Sequence, residues 1–84
     1  MNIEEALKIL DIPHFVTKSE IKKRYKELAA KYHPDRSAES NKMAQINEAY
    51  NLIMEYVENF RYSFDHNEIS KQMPGMAHNE KFKL

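Results

Sequence analysis

The sequence predicts an all-α fold, a small helical bundle. It is built on an antiparallel helix pair at about 17–32 and 41–58, flanked by a short N-terminal helix and a short divergent C-terminal helix. Three observations carry this. The 84 residues hold one glycine and three prolines, too few turn formers for a fold of short strands. Apolar residues recur at helical spacing in successive segments. Polar side chains able to cap a helix stand at the start of each segment.

The first helix opens at Asn2, with Glu5 placed to complete a capping box. Ile3, Ala6, Leu7 and Leu10 follow at i, i+3, i+4 and i+7, one apolar stripe. Asp11-Ile12-Pro13 stops it, because proline disfavours the α conformation at Ile12. The second helix has the clearest start: Thr17 caps, Glu20 is its reciprocal partner, and Val16 and Ile21 occupy the staple positions. Ile21, Tyr25, Leu28, Ala29 and Tyr32 form its apolar face. Lys18, Lys22, Lys23, Arg24, Lys26 and Lys31 occupy the remainder, and Pro34 forces the exit. Residues 33–41 read as a polar loop.

The third helix begins near Ser40 or Asn41 and reaches about Glu58, with Met43, Ile46, Ala49, Tyr50, Ile53 and Val57 on its apolar face. Phe60, Tyr62 and Phe64 then alternate with Arg61, Ser63 and Asp65, the period of an extended segment. With no partner strand, this segment is expected to lie on the first and third helices. Asp65 and Glu68 repeat the capping-box spacing, so a fourth helix is expected from about His66 to Met73, ended by Pro74-Gly75. The expected organisation is a core at 1–59, an aromatic arm and short fourth helix packed on it at 60–75, and a flexible tail at 76–84.

Composition narrows the function. The absence of cysteine excludes a disulfide scaffold and a thiolate zinc site, and fits a reducing, cytoplasmic location. Apolar runs never exceed three residues, so no segment can cross a bilayer as a helix. The N-terminus lacks the basic-then-apolar layout of a signal peptide. Net charge is zero but uneven: residues 17–36 carry seven Lys or Arg against three acids, and residues 37–60 carry one against four. A positive stripe on a neutral protein favours an acidic partner surface. His14, His66 and His78 are scattered, so no metal site is expected. There is no glycine-rich phosphate loop, and no cofactor is expected. His33 and Asp35 come without a nucleophile or oxyanion donor, so no enzymatic activity is expected.

The basic amphipathic helix runs into Lys31-Tyr32-His33-Pro34-Asp35-Arg36, and ten residues later comes Ile46-Asn47-Glu48-Ala49-Tyr50. Over residues 3–58 this pattern resembles the J-domain of DnaJ-like co-chaperones. The resemblance implies docking on a 70-kDa heat-shock protein chaperone in its ATP-bound state and stimulation of its ATP hydrolysis. It implies His33, Pro34, Asp35 and Arg36 as partner-binding residues, with Lys22, Lys23 and Lys26 on the adjoining helix. Proline fixes φ and pre-shapes the tip, which lowers the ordering cost of binding. Asp35 can accept charge-assisted hydrogen bonds from a partner arginine. The sequence departs from the family pattern where Asp11 replaces a Leu-Gly closure, where Arg24 replaces a small residue, where Glu27 replaces a basic one, and after Glu58. Phe60, Tyr62 and Phe64 are read as packing residues, with a surface for a client or second protein as the alternative. A helical adaptor, or a nucleic-acid-binding module supported by the basic segment alone, is the alternative function.

Overall fold

A computed structural model describes residues 1–32 and 40–77. The described chain forms five helical elements: α1 (Ile3–Leu10), α2 (Lys18–Lys31), α3 (Ser40–Glu58), α4 (His66–Gln72) and a single turn, α5 (Pro74–Ala77). The all-α expectation holds, and the long pair falls within one residue of the expected bounds.

Local chemistry explains where the helices start. Thr17 and Glu20 close a full capping box: the Glu20 N–H donates to Thr17 Oγ1 at 3.2 Å, and the Thr17 N–H donates to Glu20 Oε1 at 3.0 Å. At α1 only one half of the expected box forms, the Glu5 N–H donating to Asn2 Oδ1 at 2.8 Å. The same single bond caps α4, from the Glu68 N–H to Asp65 Oδ1 at 2.9 Å.

The end of α1 is made one residue before the position that the proline argument selects. Asp11 adopts the left-handed conformation, φ 54° and ψ 53°. Its N–H donates to the Lys8 carbonyl at 3.1 Å, and the Ile12 N–H to the Leu7 carbonyl at 3.1 Å. This pair of bonds is a Schellman closure, which usually carries glycine at the left-handed position. Aspartate is among the few other residues that tolerate it.

The core lies where α1, α2 and α3 meet. Ala6, Leu10, Ile21, Leu28, Ile46, Ala49 and Ile53 are buried, and Leu10 and Ile46 are its largest fully enclosed side chains. α1 packs mainly on α3, and α2 on α3 more lightly. Tyr25, Ala29, Tyr32, Met43, Tyr50 and Val57 are only half-buried and form the margin of that core. Three contacts fix α2 against α3 in antiparallel register. Lys18 pairs with Glu58 at one end. Tyr25 stacks on Tyr50 at 4.1 Å and donates its hydroxyl to Asn47 Oδ1 at 2.6 Å in the middle. Lys42 lies over the Tyr32 ring at 5.8 Å at the other end. As the residue number rises on one helix it falls on the other, as two helices joined by a short connection require.

In the C-terminal region the arm meets α3 at Phe60, whose ring lies edge to face against Tyr56 at 5.8 Å, while Tyr62 is 74% exposed and Phe64 75%, and α4 has no buried residue. Pro74 ends α4 as expected, with Met73 as its cap, but it also begins α5. Proline is well suited to the first position of a helix, where no N–H is needed.

Candidate functional site

The site is built on α2, whose outer surface is set by the buried one. Each residue turns the helix by about 100°. Ile21, Tyr25, Leu28 and Tyr32 therefore share one inward face. Ser19, Lys22, Lys23 and Lys26 share another at i, i+3, i+4 and i+7, and with Glu27 they line a shallow open depression. Lys22, Lys23 and Lys26 are all exposed. Among the described residues none of the three forms an ion pair.

The other cations of this segment are engaged. Arg24 stands roughly opposite Lys22 and Lys26 around the helix, towards α1. Its Nε donates to the Leu10 carbonyl at 2.9 Å, its Nη2 lies 3.3 Å from Asp11 Oδ2, and its Nη1 lies 3.7 Å from Glu27 Oε1. A guanidinium satisfying the last carbonyl of α1 suits the negative end of that helix dipole. The two departures at Asp11 and Arg24 thus belong to one device: the left-handed aspartate closes α1, and the arginine ties that closure to α2. Sequence spacing alone does not reveal this, because the residues are thirteen apart and meet only through the fold. Lys18 is engaged with Glu58. The Lys31 ammonium sits 5.3 Å from the centre of the Tyr32 ring.

Of the residues selected from the sequence, Lys22, Lys23 and Lys26 are therefore brought together on one uncommitted face. His33, Pro34, Asp35 and Arg36 lie outside the described residues. They follow Tyr32, which caps the C-terminal end of α2 with its N–H donating to the Leu28 carbonyl at 2.9 Å.

The electrostatics of this frame are confined to its edges. The Lys18 hydrogen bond holds the Glu58 carboxyl below its usual range, and Glu58 raises the Lys18 ammonium in turn. The Thr17 backbone N–H lowers Glu20, and the Ser63 hydroxyl lowers Asp65. Carboxylates lowered in the folded state contribute stability above their unfolded values, and lose it as pH falls through the folded values. Lys18 is raised, so its contribution is complete below its unfolded value and is lost as pH rises through the folded one. The melting temperature is therefore expected to plateau between the ordinary carboxylate and lysine values, 4.5 and 10.5, and to fall on both sides. Thermal unfolding followed by circular dichroism between about pH 3 and pH 11 checks this. A melting temperature unchanged at pH 3 would contradict it.

Comparison with known proteins places the chain among relatives. A family model described as the DnaJ domain matches residues 5–65. The chain is similar to a curved DNA-binding protein of Coxiella burnetii, 45% identical over 56 residues, which is 63% of this chain and 18% of that protein. It is similar to the chaperone protein DnaJ of Hydrogenobacter thermophilus, 45% identical over 56 residues, 63% of this chain and 16% of that one. It is similar also to the human DnaJ homolog subfamily B member 5, 45% identical over 53 residues, 60% of this chain and 15% of that one. The chain spans less than a fifth of the length of these curated relatives. No solved structure matches.

Proposed function

This chain belongs to the DnaJ domain family, and on that premise we propose that it docks on the ATP-bound form of a 70-kDa heat-shock protein chaperone and stimulates its ATP hydrolysis. The domain is a non-catalytic co-chaperone module, so the hydrolysis belongs to the partner. One observation carries the reading. On α2 the cations nearest the core or its margins are consumed by internal partners, while Lys22, Lys23 and Lys26 are left together on the open face of the helix that leads into His33-Pro34-Asp35. An unpaired basic face steers an acidic partner surface through long-range attraction. Asp35 and Arg36 would then make the directional contacts at the tip, with Pro34 restricting the backbone between His33 and Asp35. Stimulation requires only that this surface bind one state of the chaperone better than another. A cytoplasmic location belongs to the same proposal and is supported by the lack of cysteine.

The test is single-turnover ATP hydrolysis by the 70-kDa chaperone of the same organism. Adding the chain is expected to raise the rate, and the His33→Gln or Asp35→Asn variant to give no rise. Equal stimulation by wild type and variants would overturn the proposal. A second reading, binding to duplex DNA, has two supports: the basic segment and the name of the Coxiella burnetii relative. The matched stretch is only 18% of that protein, so the name attaches to a much longer chain. Duplex binding at about 150 mM salt, unchanged by His33→Gln, would favour this second reading.

A further inference from the structure

The basic face of α2 contains an acid. Glu27 lines the same depression as Lys22, Lys23 and Lys26. Lys23 stands four residues before it and Arg24 three, so both cations are its neighbours on the helix surface. The carboxylate goes to the arginine: Glu27 Oε1 lies 3.7 Å from Arg24 Nη1, and Lys23 forms no ion pair among the described residues. The reason lies in what else holds Arg24. Its Nε donates to the Leu10 carbonyl at 2.9 Å and its Nη2 to Asp11 Oδ2 at 3.3 Å, so the guanidinium is fixed before Glu27 meets it. Pairing with Lys23 would instead order two exposed, flexible side chains, which costs more conformational entropy.

We propose that Arg24 is a positioning residue for the basic face: by holding the Glu27 carboxylate towards α1, it leaves Lys22, Lys23 and Lys26 uncompensated for an acidic partner. This rests on the docking proposal and names a further residue that serves it. A carboxylate turned to Lys23 would neutralise one of the three charges and set an acid against an acidic surface, and facing like charges oppose association. The Arg24–Glu27 pair is half-exposed and adds little to folding. Its effect is on where the negative charge sits. Two functions of one side chain are thus divided among its nitrogens: Nε and Nη2 close α1, and Nη1 draws Glu27 away from Lys23.

The test is a double-mutant cycle on the whole chain: wild type, Arg24→Ala, Glu27→Gln and the double variant, each titrated against the ATP-bound 70-kDa chaperone at low salt and at about 150 mM. Glu27→Gln removes one negative charge in either background, so net charge alone predicts equal gains in affinity. The proposal predicts unequal ones. At low salt the gain is expected to be at least about threefold larger in the Arg24→Ala background, and the excess to shrink at high salt. Glu55→Gln, which removes the same charge at an exposed position on α3, is expected to give equal gains in both backgrounds. Arg24→Ala and the double variant should melt together, because Glu27→Gln does not restore the bond to the Leu10 carbonyl, so a loosened fold cannot account for a rescue. Arg24→Gln, which keeps a donor without the charge, runs the same cycle where Arg24→Ala does not fold. Repeating the cycle with a short poly-aspartate peptide reads the face without the chaperone. Equal gains from Glu27→Gln in the two backgrounds, with either ligand, would overturn the proposal. A wild-type chain that binds the peptide but not the chaperone would overturn the docking proposal and leave the peptide cycle to decide the role of Arg24. One that binds neither would overturn both.

Discussion

Reversing charge at Lys22 and Lys26 together, by Lys22→Glu with Lys26→Glu, is expected to abolish stimulation of the 70-kDa chaperone and to weaken association by more than about tenfold at low salt. Both side chains are exposed and neither forms an ion pair among the described residues; the Lys22 charge adds only the last-ranked contribution to lowering the Glu58 carboxyl, behind Lys18. Helix content and melting temperature should therefore stay close to wild type. The lost affinity should shrink as salt rises, because screening removes the steering term first. Reversal at Lys8, exposed on α1, is the matched control and is expected to leave stimulation unchanged. Arg24→Ala separates the two roles of α2. It strips a charged hydrogen bond from the Leu10 carbonyl and is expected to cost about 1.5–3 kcal/mol of stability. At saturating concentration the folded Arg24→Ala protein should still stimulate. Association measured at two salt concentrations, beside thermal unfolding of each variant, checks the set. Full stimulation by the double reversal would remove the basic face from the account.

The largest stability effect is expected at Ile46. Its side chain is fully enclosed among α1, α2 and α3, and a domain of this size holds roughly 4–12 kcal/mol in total. Ile46→Ala loses the transfer energy of the removed carbons and leaves a cavity, together about 3 kcal/mol. For a domain this small, that should lower the urea midpoint by about 2–3 M. Phe15→Ala is the contrast: a larger side chain, but 79% exposed, and expected to shift stability by no more than about 0.5 kcal/mol. Equal shifts in the two variants would show that the core lies elsewhere.

These expectations rest on parts of the molecule that were unequally legible in the sequence. The helix pair was legible because caps and apolar stripes are local signals. Thr17 and Glu20 act within three residues of each other, and the period of Ile46, Ala49 and Ile53 needs only the helix itself. The Asp11–Arg24 device was not legible as such. Each residue stood out only as a departure from the family pattern, and their pairing depends on how α1 leans on α2. How far the aromatic arm packs was not legible, for a related reason. Alternation at Phe60, Tyr62 and Phe64 reports which side of the chain the rings share, but not whether that side meets the core. Of the three rings, Phe60 packs edge to face on Tyr56 of α3 at 5.8 Å, while Tyr62 and Phe64 stand largely exposed. The basic face was legible in composition, but only the fold distinguishes Lys22, Lys23 and Lys26 from the cations that α1, α3 and Tyr32 absorb.

The measurement that most directly addresses the central claim is a map of backbone amide shifts of this chain as the ATP-bound 70-kDa chaperone is added. The account predicts that shifts concentrate at Lys22, Lys23, Lys26, His33, Asp35 and Arg36, and that Asp35→Asn removes them. Shifts confined to residues 60–73, with α2 silent, would contradict it.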